Sequence, residues 1–202
     1  MFHPKLNKKL LAALAQAGFE APTELQAQCI SKISSGGDII GIAADGAGKT
    51  STLAIAAVQK LQYAFEDAPR ALILVADKEK AFALKEQFDR LAAETDLRSV
   101  CIVEEGKLDV QRRDIHTGTD LVIGTAKRVL EIYFKWSLNL NKIKFFAIDD
   151  AERMIKNSWH GEIDRLALSL PKCQRVVFTN NLDEKVEKLI SKLMAAPVVI
   201  EV

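Results

Sequence analysis

Two short segments carry most of the chemistry available to this sequence. The first is Ala43-Ala44-Asp45-Gly46-Ala47-Gly48-Lys49-Thr50. Gly46 and Gly48 let the backbone curl so that successive N–H groups face inward and bind anionic oxygens. A helix beginning near Lys49 adds its positive N-terminal end. The Lys49 ammonium can reach the β- and γ-phosphates of a nucleoside triphosphate, and the Thr50 hydroxyl can ligate Mg²⁺. Two details depart from the generic loop: Ala43 stands where a first Gly is usual, and Asp45 adds a carboxylate that either weakens phosphate binding or turns outward. The second segment is Phe145-Phe146-Ala147-Ile148-Asp149-Asp150. Asp149, at a strand tip, is placed to hold Mg²⁺ through water, and Asp150 to orient or deprotonate an attacking water. Taken alone, the Asp-Asp pair would serve equally well as a helix cap. The phosphate loop upstream favours the metal reading.

Both segments need a strand before them and a helix after, and the hydrophobic pattern supplies these. Apolar strands are predicted at 38–43, 70–76, 99–104, 120–124, 144–149, 174–179 and 198–202. Helices are predicted at 6–17, from the Thr23/Gln26 capping box to about 35, and at 49–63, 78–94, 108–116, 126–135 and 182–195, with helical stretches from 150 to 170. Strands without polar alternation, each followed by an amphipathic helix, indicate an α/β fold with a mostly parallel sheet and helices on both faces. In such sheets ligands sit at the carboxyl ends of the strands, where both segments fall.

The bulk properties set outer bounds. With 202 residues the chain can build one good core and hardly two. A formal net charge of +1 means that any nucleic-acid binding must come from a local patch. Cys29, Cys101 and Cys173 form no CxxC pair and read as small buried residues in a reducing, cytoplasmic compartment. His3, His116 and His160 lack metal-ligand spacing. Trp136 and Trp159 read as packing residues, though one could stack a base, and Arg112-Arg113 and Lys142/Lys144 read as solvated faces. No apolar run is long enough to span a bilayer, so no membrane partner is expected.

With both segments placed, the sequence resembles the first RecA-like domain of the DEAD-box RNA helicases over nearly its whole length. Gly18-Phe19-Glu20-Ala21-Pro22-Thr23-Glu24-Leu25-Gln26 is similar to the family's Q motif. The resemblance implies that Gln26 reads the adenine edge, with Phe19 near the ring and Phe2 a plausible upstream aromatic, which favours ATP over GTP. Residues 43–50 have the family's A-x-x-G-x-G-K-T form, which accounts for Ala43. Asp149-Asp150-Ala151-Glu152-Arg153-Met154 is similar to its D-E-A-D-R-M. The implied domain is a RecA-like P-loop unit, with residues 1–37 as the Q-motif region and 38–202 as the α/β core. Its nucleotide set is Phe19, Gln26, Ala44, Asp45, Gly46, Ala47, Gly48, Lys49, Thr50 and Ser51, with Thr50 and Asp149 for Mg²⁺ and Lys49 and Asp150 catalytic. Thr125, Lys127, Arg128 and Lys78 are the implied RNA contacts.

The departures follow a pattern. The family's catalytic Glu is Asp150, one methylene shorter. Its P-T-R-E-L-A segment aligns with Ala76-Asp77-Lys78-Glu79-Lys80-Ala81, where Asp77 would repel phosphate. Its Gly-Gly pair is Glu105-Gly106, its T-P-G-R is Thr125-Ala126-Lys127-Arg128, and its S-A-T is Thr179-Asn180-Asn181. The ATP site is mostly kept, while the RNA and coupling elements have drifted. In the family a second RecA-like domain, in the same or another chain, supplies arginine fingers, so this chain alone is expected to bind RNA weakly and hydrolyse ATP barely. The expected function is the ATP-binding half of an RNA helicase. The alternative is a degenerate, one-domain adaptor that does not unwind.

Overall fold

The computed structural model describes residues 2, 6–65, 68–136 and 138–202. His3 lies outside the described residues. The fold is one seven-stranded sheet, all of whose strand pairs are parallel. In chain order the strands are β1 (Ile39–Ile42), β2 (Ala71–Leu74), β3 (Ser99–Ile102), β4 (Leu121–Gly124), β5 (Phe145–Ile148), β6 (Gln174–Thr179) and β7 (Val198–Glu201). In space they run β3-β4-β2-β5-β6-β1-β7. Ile42 is level with Thr179, and Ile148 with Val177, so the tips of β1 and β5 flank the tip of β6.

The period-two geometry of a strand divides the apolar residues between two cores. One face presents Ile39, Ile73, Phe145 and Phe178 to α1 (Lys8–Gln16), α2 (Glu24–Ser34), α3 (Lys49–Leu61) and α4 (Lys78–Leu91). The other presents Ile40, Leu74, Phe146 and Val177 to α6 (Ala126–Trp136), α7 (Ala151–Lys156), α8 (His160–Leu168) and α9 (Glu184–Leu193). The short α5 (Leu108–His116) packs Leu108 and Ile115 against that second core. Leu10, Leu25 and Cys29 are buried in the same core as Leu53 and Phe88, so the two N-terminal helices share the core of the sheet. Burial pushes the Cys29 thiol up to about 12 and that of Cys101 to about 11, which keeps both protonated and unreactive.

Local signals set the helix starts. Thr23 and Gln26 form both bonds of a capping box, Asp77 caps α4 through the Lys80 amide, and Asp183 caps α9. The ends are shorter than the pattern predicts. The chain leaves α3 at Gln62 (φ 62°), and Ser158 (φ 62°) breaks the 150–170 stretch into α7 and α8. Apolar periodicity carries no record of such left-handed residues. Among the described residues no helix is long and apolar enough to cross a membrane.

Candidate functional site

The phosphate loop leaves the tip of β1 and enters α3. Gly46 and Gly48 have φ of +87° and +95°, a region open to glycine and strained for other residues. Gly48 is also crowded: a Cβ there would meet Gln26 Nε2 and Thr23 Oγ1 at 3.1 Å. No side chain caps α3, so its first-turn N–H groups are left facing the loop's hollow. A cavity of about 220 Å³ lies there, lined by Asp45, Gly46, Lys49, Thr50 and Lys80 among others. A larger hollow of about 780 Å³ at the other end of the sheet, beside Lys144 and Arg175, has neither a glycine loop nor a carboxylate pair.

Lys49 is almost fully buried and held by several acceptors. Its Nζ donates to Ala43 O at 2.9 Å, to Asp45 Oδ1 at 3.3 Å and to the side chain of Asn180, and it lies 3.5 Å from Asp150 Oδ1. Asp45 points outward, its side chain 80% exposed. The Asn180 amide and the Lys49 ammonium hold its carboxyl below the usual range. Asn180, in the segment similar to S-A-T, therefore bridges the two charged side chains of the phosphate loop.

The loop and the carboxylate pair meet across the tip of β6. The Thr50 hydroxyl donates to Asp149 Oδ2 at 2.7 Å. The other oxygen of Asp149 is buried without a hydrogen-bond partner. Burial, and then the neighbouring Asp150 charge, push the Asp149 carboxyl up to about 6. A hydroxyl beside a carboxylate with a spare oxygen is the hard, oxygen-only donor set that suits hydrated Mg²⁺, so these residues fit that ion.

Asp150 is the left-handed residue (φ 58°) preceding α7, and it is 1% exposed. Its oxygens lie 2.9 Å from Lys80 Nζ, 3.5 Å from Lys49 Nζ and 3.8 Å from Arg153 Nη1. Glu152 accepts from the Thr179 hydroxyl at 2.8 Å and from the Asn180 amide at 3.1 Å, tying α7 to the end of β6.

The Q-motif residues join the phosphate loop directly. Thr23 Oγ1 donates to Ala47 O at 2.8 Å, and Gln26 Nε2 donates to Ser51 Oγ at 2.8 Å. Gln26 is 1% exposed, and its Oε1 accepts the Thr23 amide. Phe19 is half-buried and sits edge-on to Phe2, ring centroids 6.3 Å apart.

Of the four residues implied as RNA contacts, Lys78 and Thr125 line one groove, while Arg128 and Lys127 do not. Thr125 is buried and donates to Glu104 at 2.5 Å. Arg128 turns inward: it donates to Val103 O, Gln111 Oε1, Glu131 Oε2, Glu104 O and Gly106 O, and so holds down the loop after β3. That loop fixes where the arginine points and leaves it 7% exposed. Lys127 is exposed, and Lys78 lies 3.5 Å from Glu105. Asp77 is the α4 cap and pairs with Arg153 at 3.0 Å, so its charge is partly matched. The groove between these elements, about 570 Å³, is lined by Asp77, Glu79, Glu104 and Glu105 against the single cation Lys78, with Trp159 at its wall.

Sequence reasoning overlooked Lys80, Asn180 and Glu152 as site residues. A signal existed for Lys80: a lysine in the first turn of a helix, at the end that disfavours cations.

Known proteins point the same way. The family model described as DEAD/DEAH box helicase matches residues 23–189. An ATP-dependent rRNA helicase, RRP3, of Lodderomyces elongisporus is 32% identical over 200 residues, covering 98% of this chain and 39% of its own length. The ATP-dependent RNA helicase DeaD of Mycobacterium tuberculosis is 28% identical over 195 residues, covering 96% of this chain and 34% of its own. The crystal structure of a DEAD box protein from the hyperthermophile Methanococcus jannaschii superposes with a TM-score of 0.91 at 23% identity, covering 98% of this chain and 54% of that one. The chain thus spans well under half the length of both curated relatives. A match of this extent, on a RecA-like sheet that sets the phosphate loop and the Asp pair at the carboxyl ends of nearby strands, makes the chain a member of the DEAD/DEAH box helicase family.

Proposed function

We propose that this chain is the ATP-binding RecA-like half of an ATP-dependent RNA helicase. The observation that carries the reading is the 2.7 Å bond from Thr50 to Asp149, which joins the phosphate loop to the carboxylate pair as one site. The helicase activity for which the relatives are named favours the enzyme over the adaptor alternative.

The chain's own residues divide the work. The loop amides and Lys49 hold the phosphates, with Lys49 exchanging Asn180 and Asp45 for phosphate oxygens. Gln26 has one Nε2 hydrogen and one Oε1 lone pair left for an adenine edge after its bonds to Ser51 and Thr23. Because Gln26 and Thr23 also brace Ser51 and Ala47, base recognition and loop geometry are mechanically linked. Thr50 and Asp149 would hold Mg²⁺, which when bound neutralises charge on the phosphate oxygens. Asp150 is the base candidate, yet it is engaged by Lys80, Lys49 and Arg153, so a water must displace one of them to be activated. That engagement, and the need for arginine fingers that a second RecA-like domain supplies in the family, make turnover by this chain alone slow. The acidic groove makes its RNA binding weak and salt-sensitive, in the range of about 10⁻⁴ to 10⁻⁶ M expected of non-specific contacts.

The test is thermal shift with Mg-ATP, Mg-ADP and Mg-GTP. Saturation at 100 times the dissociation constant adds about 2.7 kcal/mol. Larger shifts for ATP and ADP than for GTP are expected, and equal shifts would remove Gln26 from base recognition. Strong RNA-stimulated turnover by this chain alone would overturn the half-site reading.

A further inference from the structure

Lys80 stands in an unfavourable place for a cation. It is the third residue of α4, where the helix presents its positive end. Its neighbour Lys78 turns outward to Glu105. Lys80 instead turns inward, half-buried, and lines the phosphate cavity with its ammonium 2.9 Å from Asp150. Asp149, Asp150 and Asp45 all attract that ammonium, which is held charged against the cost of its burial. In the similar P-T-R-E-L-A segment this position is a leucine. The chain has therefore gained a positive charge beside its carboxylate pair.

The charge balance gives this a consequence. Two buried carboxylates repel incoming phosphates, and a divalent ion ordinarily removes the conflict. Lys49 cannot do so alone, because binding phosphate draws it away from Asp150. Lys80 keeps its contact with Asp150 and faces the same cavity. We propose that Lys80 is a built-in cation of the phosphate site, taking over part of the neutralisation that Mg²⁺ supplies, so that this chain holds adenine nucleotides with little dependence on Mg²⁺. The proposal rests on the nucleotide-binding reading above.

The experiment titrates a fluorescent ADP by anisotropy, in Mg²⁺ and in excess EDTA, against the parent chain, Lys80→Leu and Lys80→Arg, with thermal melts verifying each fold. The parent is expected to lose no more than about tenfold in affinity on Mg²⁺ removal, Lys80→Leu about a hundredfold, and Lys80→Arg to stay near the parent. In a second arm without nucleotide, Mn²⁺ measured by EPR should bind Lys80→Leu more tightly than the parent, because the ammonium no longer competes at the carboxylates. Equal EDTA losses for parent and Lys80→Leu would overturn the role of Lys80 while leaving nucleotide binding intact. A parent that binds no ADP even with Mg²⁺ would overturn the nucleotide reading and this inference with it.

Discussion

The tips of β1, β5 and β6 and the groove beyond the tip of β3 both match family motifs, but they have used them differently. At the first, the matched side chains meet: Thr50 reaches Asp149, Gln26 braces Ser51, and Glu152 holds Thr179. At the second, Arg128 and Thr125 are turned inward, while Lys78 and Lys127 reach the surface. Arg128 pins the loop that carries Glu104 and Gly106, Thr125 bonds Glu104, and the exposed lining is mostly acidic. A motif residue can thus also build the local fold, as Arg128 does for the loop after β3. The nucleotide side joins its matched side chains to one another, while on the RNA side Arg128 and Thr125 are tied to the loop after β3.

The sharpest way to break this comparison is Lys49→Ala. The Lys49 ammonium contacts loop oxygens and Asp150, and Lys80 remains to balance Asp150. Nucleotide affinity should fall by at least about a hundredfold, while stability changes by no more than about 1–2 kcal/mol. Calorimetric titration and thermal melts check both. A variant that melts far below the parent yet still binds ATP would remove the phosphate-loop assignment.

Arg128→Ala tests the other side. If Arg128 is a loop tie, its loss strips partners from Val103, Glu104 and Gly106 carbonyls and should cost about 2–4 kcal/mol. RNA affinity at a temperature where the variant is folded should stay within about twofold of the parent, with an unchanged salt slope. A salt slope reduced by about one unit without destabilisation would restore Arg128 as a phosphate contact.

How much of this was legible depends on the range of the interaction. The strands, most helices and the Thr23/Gln26 capping box follow from patterns a few residues wide, and the structure contains them. The P-loop and the Asp pair were legible because each motif is contiguous. Asn180 was not, since its contacts with Lys49 and Asp45 cross 131 and 135 residues and exist only because β6 lies between β1 and β5. The burial of Arg128 was hidden for the same reason: at a helix start it reads as exposed, and only the loop folded back from β3 buries it.

Asp149 gives a pH test that separates the two regions. Its folded pKa, about 6, lies above that of an unfolded aspartate, so the folded state binds the proton more tightly. The contribution of this group therefore falls as pH rises from about 4 towards 6 and stays low above it. Asp149→Asn removes the buried charge and should raise the stability of the ligand-free chain at pH 8 by about 1–3 kcal/mol, while weakening Mg²⁺-dependent nucleotide binding. Chemical denaturation at pH 5 and pH 8 checks it. A variant less stable than the parent at pH 8 would mean that the carboxylate is better compensated than its free Oδ1 indicates.

The smallest effect expected is that of Asp150→Glu. The extra methylene would extend the carboxylate towards the cavity and restore the length found in the similar family motif. If reach alone limited the base, turnover by this chain should rise by tenfold or more, on the order of a general-base contribution. Asp150, however, is buried in a left-handed backbone and already touches Lys80, Lys49 and Arg153. A glutamate there carries the same charge among the same three cations, so lengthening it moves the ion pairs without freeing an oxygen for water. An arginine finger, worth roughly 10³–10⁵ in rate in related phosphoryl-transfer enzymes, outweighs any gain in reach. Turnover of Asp150→Glu, with and without RNA, should therefore stay within about threefold of the parent. Asp150→Glu combined with Lys80→Leu should exceed either single change, because only that pair both extends the base and releases it.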